Sequence, residues 1–234
     1  MAEAPGFFRA ADPMAAAAAL LAEELERIDR ERGRARLAVA GGSSAAALGR
    51  IRRELPAAVW GRLALTWVDE RCVGFEDAQS NRGQAYRDGQ LSPEQPTALE
   101  LPLFLDGEAP EAAAARVSAA LARDFQGGLD ALLLGMGEDG HIASLFPGRP
   151  WAAPDGAAAF AVLDSPKPPP RRITLALPVL AAAERAVLPA AGAGKRQALG
   201  RLARRDPALP AGALAGLWVV TDQADFGAAM EPLP

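Results

Sequence analysis

The chain contains one histidine, His141, within the segment LLLGMGEDGHIASLFPG at residues 132–148. A neutral imidazole can accept a proton near neutral pH, and a positioned general base accelerates a reaction by about 10² to 10⁴. An isolated histidine in a loop is more often structural. Here, however, Asp139 stands close enough in sequence to orient the ring, and the neighbouring glycines let the backbone approach a ligand. The segment therefore predicts a catalytic histidine.

A second segment, Gly41-Gly42-Ser43-Ser44, stands between an apolar run and a predicted helix. Free N–H groups and the positive end of the helix dipole favour an anion there, and the serine hydroxyls are further donors. The same residues can instead form an ordinary turn in which Ser43 or Ser44 caps the helix. Both interpretations stay open. No Gly-Lys-Ser/Thr sequence follows, so the segment is not a Walker phosphate-binding loop.

Cationic side chains flank other apolar runs. Arg71 ends the charged triplet Asp69-Glu70-Arg71, Arg172 begins the run RITLALP, and Lys195 follows glycines at the start of a predicted helix. An arginine there can hold a phosphate or a developing oxyanion through its planar fork of donors, and a lysine can act as a point charge. Taken one at a time, such residues are usually solvated surface charges.

Metal and thiol chemistry are not indicated by the residue types. The chain has one histidine and one cysteine, Cys72, which together cannot supply the ligands of a His/Cys zinc site. A Ser-His-Asp triad would need a nucleophile elbow of the form GxSxG, and the sequence contains none. We therefore expect no bound metal and no cysteine nucleophile.

Apolar runs that alternate with helical segments predict the elements that position these residues. The predicted strands are 35–40, 63–68, 129–137, 172–178, 186–191 and 214–222. The predicted helices are 13–33, 43–55, 111–124 and 195–205, and the Pro- and Gly-rich segments 88–110 and 147–170 are predicted loops. Near-continuous apolar strands are typical of a mostly parallel α/β sheet, which binds ligands beyond the carboxyl ends of its strands.

Composition narrows the class of protein further. Half of the 234 residues are hydrophobic and 23% are charged, which predicts a globular chain, and we expect one domain over residues 1–234. The formal net charge of −4 argues against a nucleic-acid partner. No run of about 20 uncharged apolar residues predicts a membrane span. With a single cysteine and no leader pattern, a cytoplasmic location is expected.

Four segments, in chain order, resemble the 6-phosphogluconolactonase family. They are LAVAGGSS, WVDERCVGFEDAQSN, LDALLLGMGEDGHIASLFPG, and SPKPPPRRITLALPVL followed by AGAGKRQAL, and they cover most of residues 35–200. The third is the most specific. The related glucosamine-6-phosphate deaminases share its GxGxDGHIA core but continue toward Asn-Glu-Pro, where this chain has Ser144-Leu145-Phe146-Pro147. The resemblance to the lactonases is therefore the stronger one.

The resemblance implies a Rossmann-like α/β fold of the sugar-phosphate isomerase and deaminase type, with a mostly parallel sheet flanked by helices. It implies hydrolysis of 6-phospho-D-glucono-1,5-lactone in the oxidative pentose phosphate pathway, without a metal or organic cofactor. His141 would activate water, Asp139 or Asp69 would orient it, and Arg71 would stabilise the carbonyl oxygen or the phosphate. The residues expected to hold the phosphate are Gly41, Gly42, Ser43, Arg172 and Lys195.

Two other functions are compatible with the same residues. One is a sugar-phosphate isomerase or deaminase with this fold, which would release ammonia from glucosamine 6-phosphate. The other is a protein that binds sugar phosphates without turning them over. For the lactonase function, we expect a small-molecule sugar-phosphate lactone as the partner and a monomer or small homo-oligomer, with neither nucleic acid nor membrane involved.

Overall fold

The structure is a computed structural model that describes residues 5–126, 128–224 and 226–233. The strands within this part of the chain are β1 (Gly6–Arg9), β2 (Arg36–Val39), β3 (Ala64–Trp67), β4 (Asp69–Arg71), β5 (Leu99–Leu101), β6 (Ala131–Leu133), β7 (Ala159–Val162), β8 (Arg172–Leu175), β9 (Arg185–Ala190) and β10 (Leu217–Thr221). The α-helices are α1 (Pro13–Arg32), α2 (Ala45–Glu54), α3 (Ala57–Trp60), α4 (Asn81–Arg87), α5 (Pro110–Asp124), α6 (Leu177–Ala181) and α7 (Arg196–Ala203).

Seven parallel strands form the main sheet, in the spatial order β1, β10, β9, β6, β2, β3, β5. From β2 the chain adds β3 and β5 toward one edge. It then returns to the other side of β2 with β6 and continues through β9 and β10 toward the opposite edge. The order of strands therefore reverses between β2 and β6. The predicted parallel α/β sheet is confirmed.

A second, antiparallel sheet contains β4, β8 and β7. Val68 joins the two sheets, because its N–H donates to Val39 in the main sheet and its carbonyl accepts from Leu175 at the end of β8. The sequence predicted the run at 172–178 as one more strand of a mostly parallel sheet, and the structure places it instead in this small sheet. Strands β5 and β7 lie in segments predicted as loops, where short strands are surrounded by prolines and glycines.

Helix α1 shows how local sequence sets element boundaries. Asp12 accepts a hydrogen bond from the Ala15 N–H at 3.0 Å and Pro13 occupies the first turn, so the helix begins there. Gly33 ends it in a left-handed conformation with φ of 75°, which glycine adopts without strain. The predicted helix over 13–33 is thereby confirmed, with its end one residue earlier, at Arg32.

The buried side of α1 packs against the main sheet. Leu21, Leu25 and Ile28 repeat at helical spacing and are fully buried, and the helix contacts β6, β9, β10 and α2. Burial of each of these side chains stabilises the fold by about 1.5 to 3 kcal/mol. Among the described residues, no helix is long and apolar enough to cross a membrane.

Asp130 connects the amino-terminal ends of neighbouring strands. Its carboxylate accepts hydrogen bonds from the Arg36 backbone and guanidinium and from Arg32, at 2.6 to 2.8 Å. Its carbonyl accepts from the amides of Glu184 and Arg185 at the start of β9. Burial alone would raise the pKa of Asp130, but these hydrogen bonds and the charges of Arg36 and Arg32 hold that pKa below its ordinary value. The ionised carboxylate therefore stabilises the folded state.

Replacing Asp130 with asparagine is expected to lower the free energy of unfolding by about 2 to 4 kcal/mol at pH 7, because the guanidinium group of Arg36 loses its counter-charge and that of Arg32 keeps only Glu184. The folded-state pKa is depressed, so this stabilisation is present above the unfolded-state pKa of about 3.9 and is lost as pH falls through the folded-state pKa. Urea unfolding of wild type and variant from pH 7 to pH 3 measures the difference. Asp155→Asn, at an exposed position, is the matched control. A gap between wild type and Asp130→Asn that persists undiminished in acid would contradict this account.

Candidate active site

Four neighbouring strands of the main sheet, β9, β6, β2 and β3, have their carboxyl ends side by side. The segments leaving these strands carry Lys195, Gly135, Gly41 and Asp69. They surround a cavity of about 210 Å³. The cavity is lined by Ala40, Gly41, Gly42, Ser43, Ser44, Asp69, Arg71, Asn81, Gly135, Met136, Gly137, His141, Ala143, Arg172 and Lys195. The strand order reverses between β6 and β2, in the middle of this group, and open α/β sheets bind ligands at such a point.

Every site residue predicted from the sequence, apart from Asp139, lines this cavity. Asp139 is not part of this lining but contacts His141, with Oδ1 at 2.6 Å from the ring Nδ1. An ionised carboxylate can only accept, so in the neutral imidazole this hydrogen bond places the proton on Nδ1 and the lone pair on Nε2. Asp69, the other carboxylate considered for this role, instead accepts a hydrogen bond from Ser144 at 2.7 Å.

The electrostatics of the Asp139–His141 pair are consistent with that assignment. Burial would raise the pKa of Asp139, but the hydrogen bond and charge of His141 outweigh it and hold the pKa below the ordinary value. The ionised carboxylate is the acceptor of the hydrogen bond at Nδ1. The pair is therefore able to take up a proton at Nε2 and stabilise the resulting imidazolium.

The loop that carries the pair requires glycine at position 137. A Cβ atom there would lie 2.1 Å from Nδ1 of His141 and 2.4 Å from Oδ1 of Asp139. The Gly137 N–H also donates to the His141 carbonyl at 2.8 Å, which closes the loop. The centroid of the Phe146 ring lies 4.6 Å from the centroid of the His141 imidazole. The imidazole is thus held by a hydrogen bond at one nitrogen and by an aromatic contact.

The Gly41–Ser44 segment forms a 3₁₀ turn over Gly42–Ser44 that leads directly into α2. Gly42 has a φ of 68°. The Ser44 hydroxyl donates to the Gly41 carbonyl at 3.1 Å and so does not act as the helix cap that the sequence left open. The exposed Ser43 and the turn amides stand at the cavity wall and at the positive end of α2, which favours the anion-binding interpretation.

Asn81 is a site residue that the sequence analysis did not single out, although it ends the second segment of the family resemblance. Its side chain is buried and lines the cavity, and Nδ2 donates to the Asp69 carbonyl at 3.0 Å. Oδ1 has no hydrogen-bond partner within the described part of the chain. A Cβ atom at Gly41 would lie 2.0 Å from this oxygen, so the close approach requires glycine there.

Two arginines face each other across the small sheet. In the antiparallel register of β4 and β8, Arg71 is directly opposite Arg172, an arrangement that is destabilising for like charges. Burial, together with the charge of Arg71, lowers the pKa of Arg172. Both side chains line the cavity. An anion bound there would relieve the repulsion between them.

The structure assigns most of the Arg172 donors to protein acceptors. Nε and NH2 donate to the carbonyls of Lys167, Pro168 and Pro169 at 3.1 Å, and NH1 donates to the Ser144 hydroxyl at 3.3 Å. The sequence-based prediction gave Arg172 only a phosphate-binding role. Its buried guanidinium also holds the proline-rich segment against the cavity, which leaves Arg71 and Lys195 as the less buried cations at the site.

Glu70 fixes the start of α4 beside β4. Its buried carboxylate accepts hydrogen bonds from the amides of Arg71, Asn81 and Arg82 at 2.7 to 2.8 Å. Burial raises the pKa of Glu70, and these amide hydrogen bonds partly offset that effect. The carboxylate thereby sets the positions of two cavity residues, Arg71 and Asn81, from outside the cavity. The charged triplet alone gave no signal of this role.

A family model described as glucosamine-6-phosphate isomerases/6-phosphogluconolactonase matches residues 9–219. The chain belongs to this family. A 6-phosphogluconolactonase of Rattus norvegicus is 40% identical over 197 residues, which are 79% of this chain and 75% of that protein. The resemblance inferred from the four sequence segments is confirmed.

Solved structures of the family share the fold. A 6-phosphogluconolactonase from Shewanella baltica has a TM-score of 0.78 at 24% identity and covers 94% of this chain and 99% of that one. A monomeric glucosamine-6-phosphate deaminase has a TM-score of 0.72 at 18% identity and covers 93% of this chain and 97% of that one. The fold is thus common to family members with different names, and the predicted isomerase and deaminase type of fold is confirmed.

The donor set at the cavity is that of an anion site. Within residues 5–126, 128–224 and 226–233, no group of three or more His, Cys, Asp or Glu side chains is placed to hold a metal ion. The cavity instead brings together turn amides, a serine hydroxyl and the cations Arg71 and Lys195.

Inorganic phosphate is therefore expected to raise the midpoint of thermal unfolding, because a ligand that binds only the folded state stabilises it. Arg71→Met should raise the Kd for phosphate about tenfold, through the loss of a charge-assisted hydrogen bond. Differential scanning fluorimetry over a phosphate series at constant ionic strength measures this. Arg123→Met, whose side chain is 72% exposed, is the control and should leave the phosphate effect unchanged. Equal phosphate responses in the two variants would remove Arg71 from the anion site.

Proposed function

We propose that the protein hydrolyses 6-phospho-D-glucono-1,5-lactone to 6-phospho-D-gluconate, a step of the oxidative pentose phosphate pathway. One observation carries this proposal: the His141 imidazole, hydrogen-bonded at Nδ1 to Asp139, and a set of anion-binding groups line the same small cavity. A phosphorylated lactone needs both, since its phosphate must be held while a water molecule is activated beside its carbonyl carbon. The 40% identity to the rat lactonase supports the same substrate.

In the proposed mechanism, His141 is the general base. Nε2 takes a proton from water as the water oxygen attacks C1 of the lactone, and the carbonyl electrons move to the exocyclic oxygen. The tetrahedral intermediate then collapses, the bond between C1 and the ring oxygen breaks, and the imidazolium returns the proton to that ring oxygen. Asp139 stabilises the imidazolium between these steps through its hydrogen bond to Nδ1. The hydroxy acid produced ionises at neutral pH and releases one proton.

The phosphate is held by the turn at Gly41, Gly42 and Ser43 together with Lys195 at the start of α7. These groups come from opposite sides of the point where strand order reverses, so a phosphate bound between them is contacted from both directions. Arg71 adds positive charge to the same cavity. Binding energy from the phosphate orients the lactone, which converts attack by water into a reaction between positioned groups. We also propose that the chain forms one domain and that the protein is cytoplasmic.

His141→Ala is expected to lower kcat at least about a hundredfold with little change in KM, because the phosphate contacts are retained while the base is lost. Lys195→Ala should do the reverse and mainly raise KM. Acid release from freshly generated lactone, corrected for the uncatalysed rate, measures both constants. Thermal unfolding and phosphate binding of His141→Ala serve as controls for an intact fold and cavity.

The outcomes separate the function from the mechanism. If wild type hydrolyses the lactone and His141→Ala is equally fast, the lactonase function stands and the general-base role does not. If wild type is no faster than the uncatalysed reaction, the lactonase function is wrong. Ammonia release from glucosamine 6-phosphate, assayed in parallel, would then identify a deaminase, and we expect none from this protein.

A further inference from the structure

Asp69 is a carboxylate inside a cavity that otherwise attracts anions. Its side chain is 8% exposed and lines the cavity together with Arg71 and Lys195. A negative charge repels a phosphate, so its presence there costs affinity unless it serves another part of the ligand. The proposed general base already has its own carboxylate, Asp139. Asp69 therefore stands in the cavity without a role in the mechanism given above.

The side chain of Asp69 is held from one side. Oδ2 accepts a hydrogen bond from the Ser144 hydroxyl at 2.7 Å and lies 3.7 Å from NH1 of Arg172. The backbone is fixed as well, since its carbonyl accepts from Asn81 and its register pairs it with Thr174 across the small sheet. The contacts of this carboxylate with side chains in the described part of the chain are made by Oδ2, and none of them is made by Oδ1. One oxygen is thus tied to the protein, and the other remains an acceptor.

This geometry fits the middle of a sugar lactone, which lies between its phosphate and its carbonyl. The ring hydroxyls between them are hydrogen-bond donors, and a fixed carboxylate oxygen is a strong acceptor for a hydroxyl. We propose that Oδ1 of Asp69 accepts a hydrogen bond from a ring hydroxyl of the substrate, which makes Asp69 a specificity-determining residue. The inference rests on the proposed function, since it takes the ligand to be a phosphorylated sugar ring.

Asp69→Asn is a sharp test because the surrounding donors dictate how the amide is oriented. Arg172 has only donors, so the amide oxygen is expected to stay on its side and the NH2 group to replace Oδ1 at the cavity. The substitution then changes an acceptor into a donor with little change in volume. Asp88→Asn, the same substitution at an exposed position in the described structure, is the matched control.

The experiment measures binding, so that it does not depend on turnover. The probes are 1,5-anhydroglucitol 6-phosphate, which has the ring hydroxyls but no carbonyl, and its 2-, 3- and 4-deoxy analogues. With wild type and Asp88→Asn, we expect one deoxy analogue to bind about 10- to 100-fold more weakly than the parent ring by isothermal titration calorimetry. With Asp69→Asn, removal of the same hydroxyl should cost less than about twofold, whether the parent ring itself binds more weakly through the lost acceptor or more tightly through the lost negative charge.

Two results would overturn the inference. The first is that wild type binds all three deoxy rings within twofold of the parent, a result that needs no variant. The second is that the deoxy ring loses the same factor with Asp69→Asn as with wild type, which is the result for independent contacts. Ser144→Ala, which removes the hydrogen bond to Oδ2 while leaving the carboxylate, should show a partial loss of discrimination, and unchanged discrimination in it would contradict the proposed tether.

Lactone hydrolysis by the same preparations separates this inference from the proposed function. Turnover by wild type without coupling between Asp69 and any hydroxyl would leave the lactonase function in place and remove the role of Asp69. If Asp69→Asn and the removal of one hydroxyl are coupled in binding but wild type does not hydrolyse the lactone, the role of Asp69 stands and the lactonase function does not. The cavity would then belong to a protein that recognises sugar phosphates without hydrolysing this lactone.

Discussion

Four parallel strands that end side by side impose one condition on everything beyond them: their connecting segments must leave the sheet within a few ångströms of one another. The chain satisfies that condition with small residues where the segments are closest. Gly41 accommodates Asn81, Gly135 accommodates the Ser44 hydroxyl, and Gly137 accommodates the Asp139–His141 pair. The cavity between these segments exists because strand order reverses between β2 and β6, which directs the segments to opposite sides of the gap.

The small antiparallel sheet adds what the main sheet alone lacks. By continuing from β3 through Val68 into β4, the chain carries Asp69 and Arg71 past the edge of the main sheet and pairs them with β8. Opposing Arg71 to Arg172 is unfavourable in itself, and the nearby Asp69 and the Ser144 hydroxyl only partly compensate for it. The strand register therefore gives the cavity a surplus of positive charge, and this surplus favours an anionic ligand.

Much of this arrangement was predictable from sequence where the signal is local. The cap at Asp12 and the glycine at position 33 gave the bounds of α1 to within a residue, and unbroken apolar runs predicted the central strands. The position of His141 and Gly41 just beyond such runs predicted that they would share a site. The short strands β5 and β7 were missed, since three or four residues within proline- and glycine-rich segments carry little periodicity.

The remaining site residues depend on contacts between distant parts of the chain. Ser144 reaches Asp69 across 75 positions of sequence, and Arg172 reaches Ser144 across 28. Asn81 and Glu70 matter through the atoms they touch, which their residue types do not reveal. The same limit applied to the choice between Asp69 and Asp139 as the partner of His141, because only the folded loop brings Nδ1 and Oδ1 of Asp139 together.

The single imidazole of the chain has a practical consequence for spectroscopy. Since His141 is the only histidine, its ring Cε1–H and Cδ2–H resonances are assigned as soon as they are detected, without a set of substitution mutants. Those resonances report ionisation, tautomer and ring-current changes from the adjacent Phe146 at the atoms of the Asp139–His141 pair. The protein thus carries an intrinsic magnetic-resonance probe at the wall of its cavity, available in the unmodified chain.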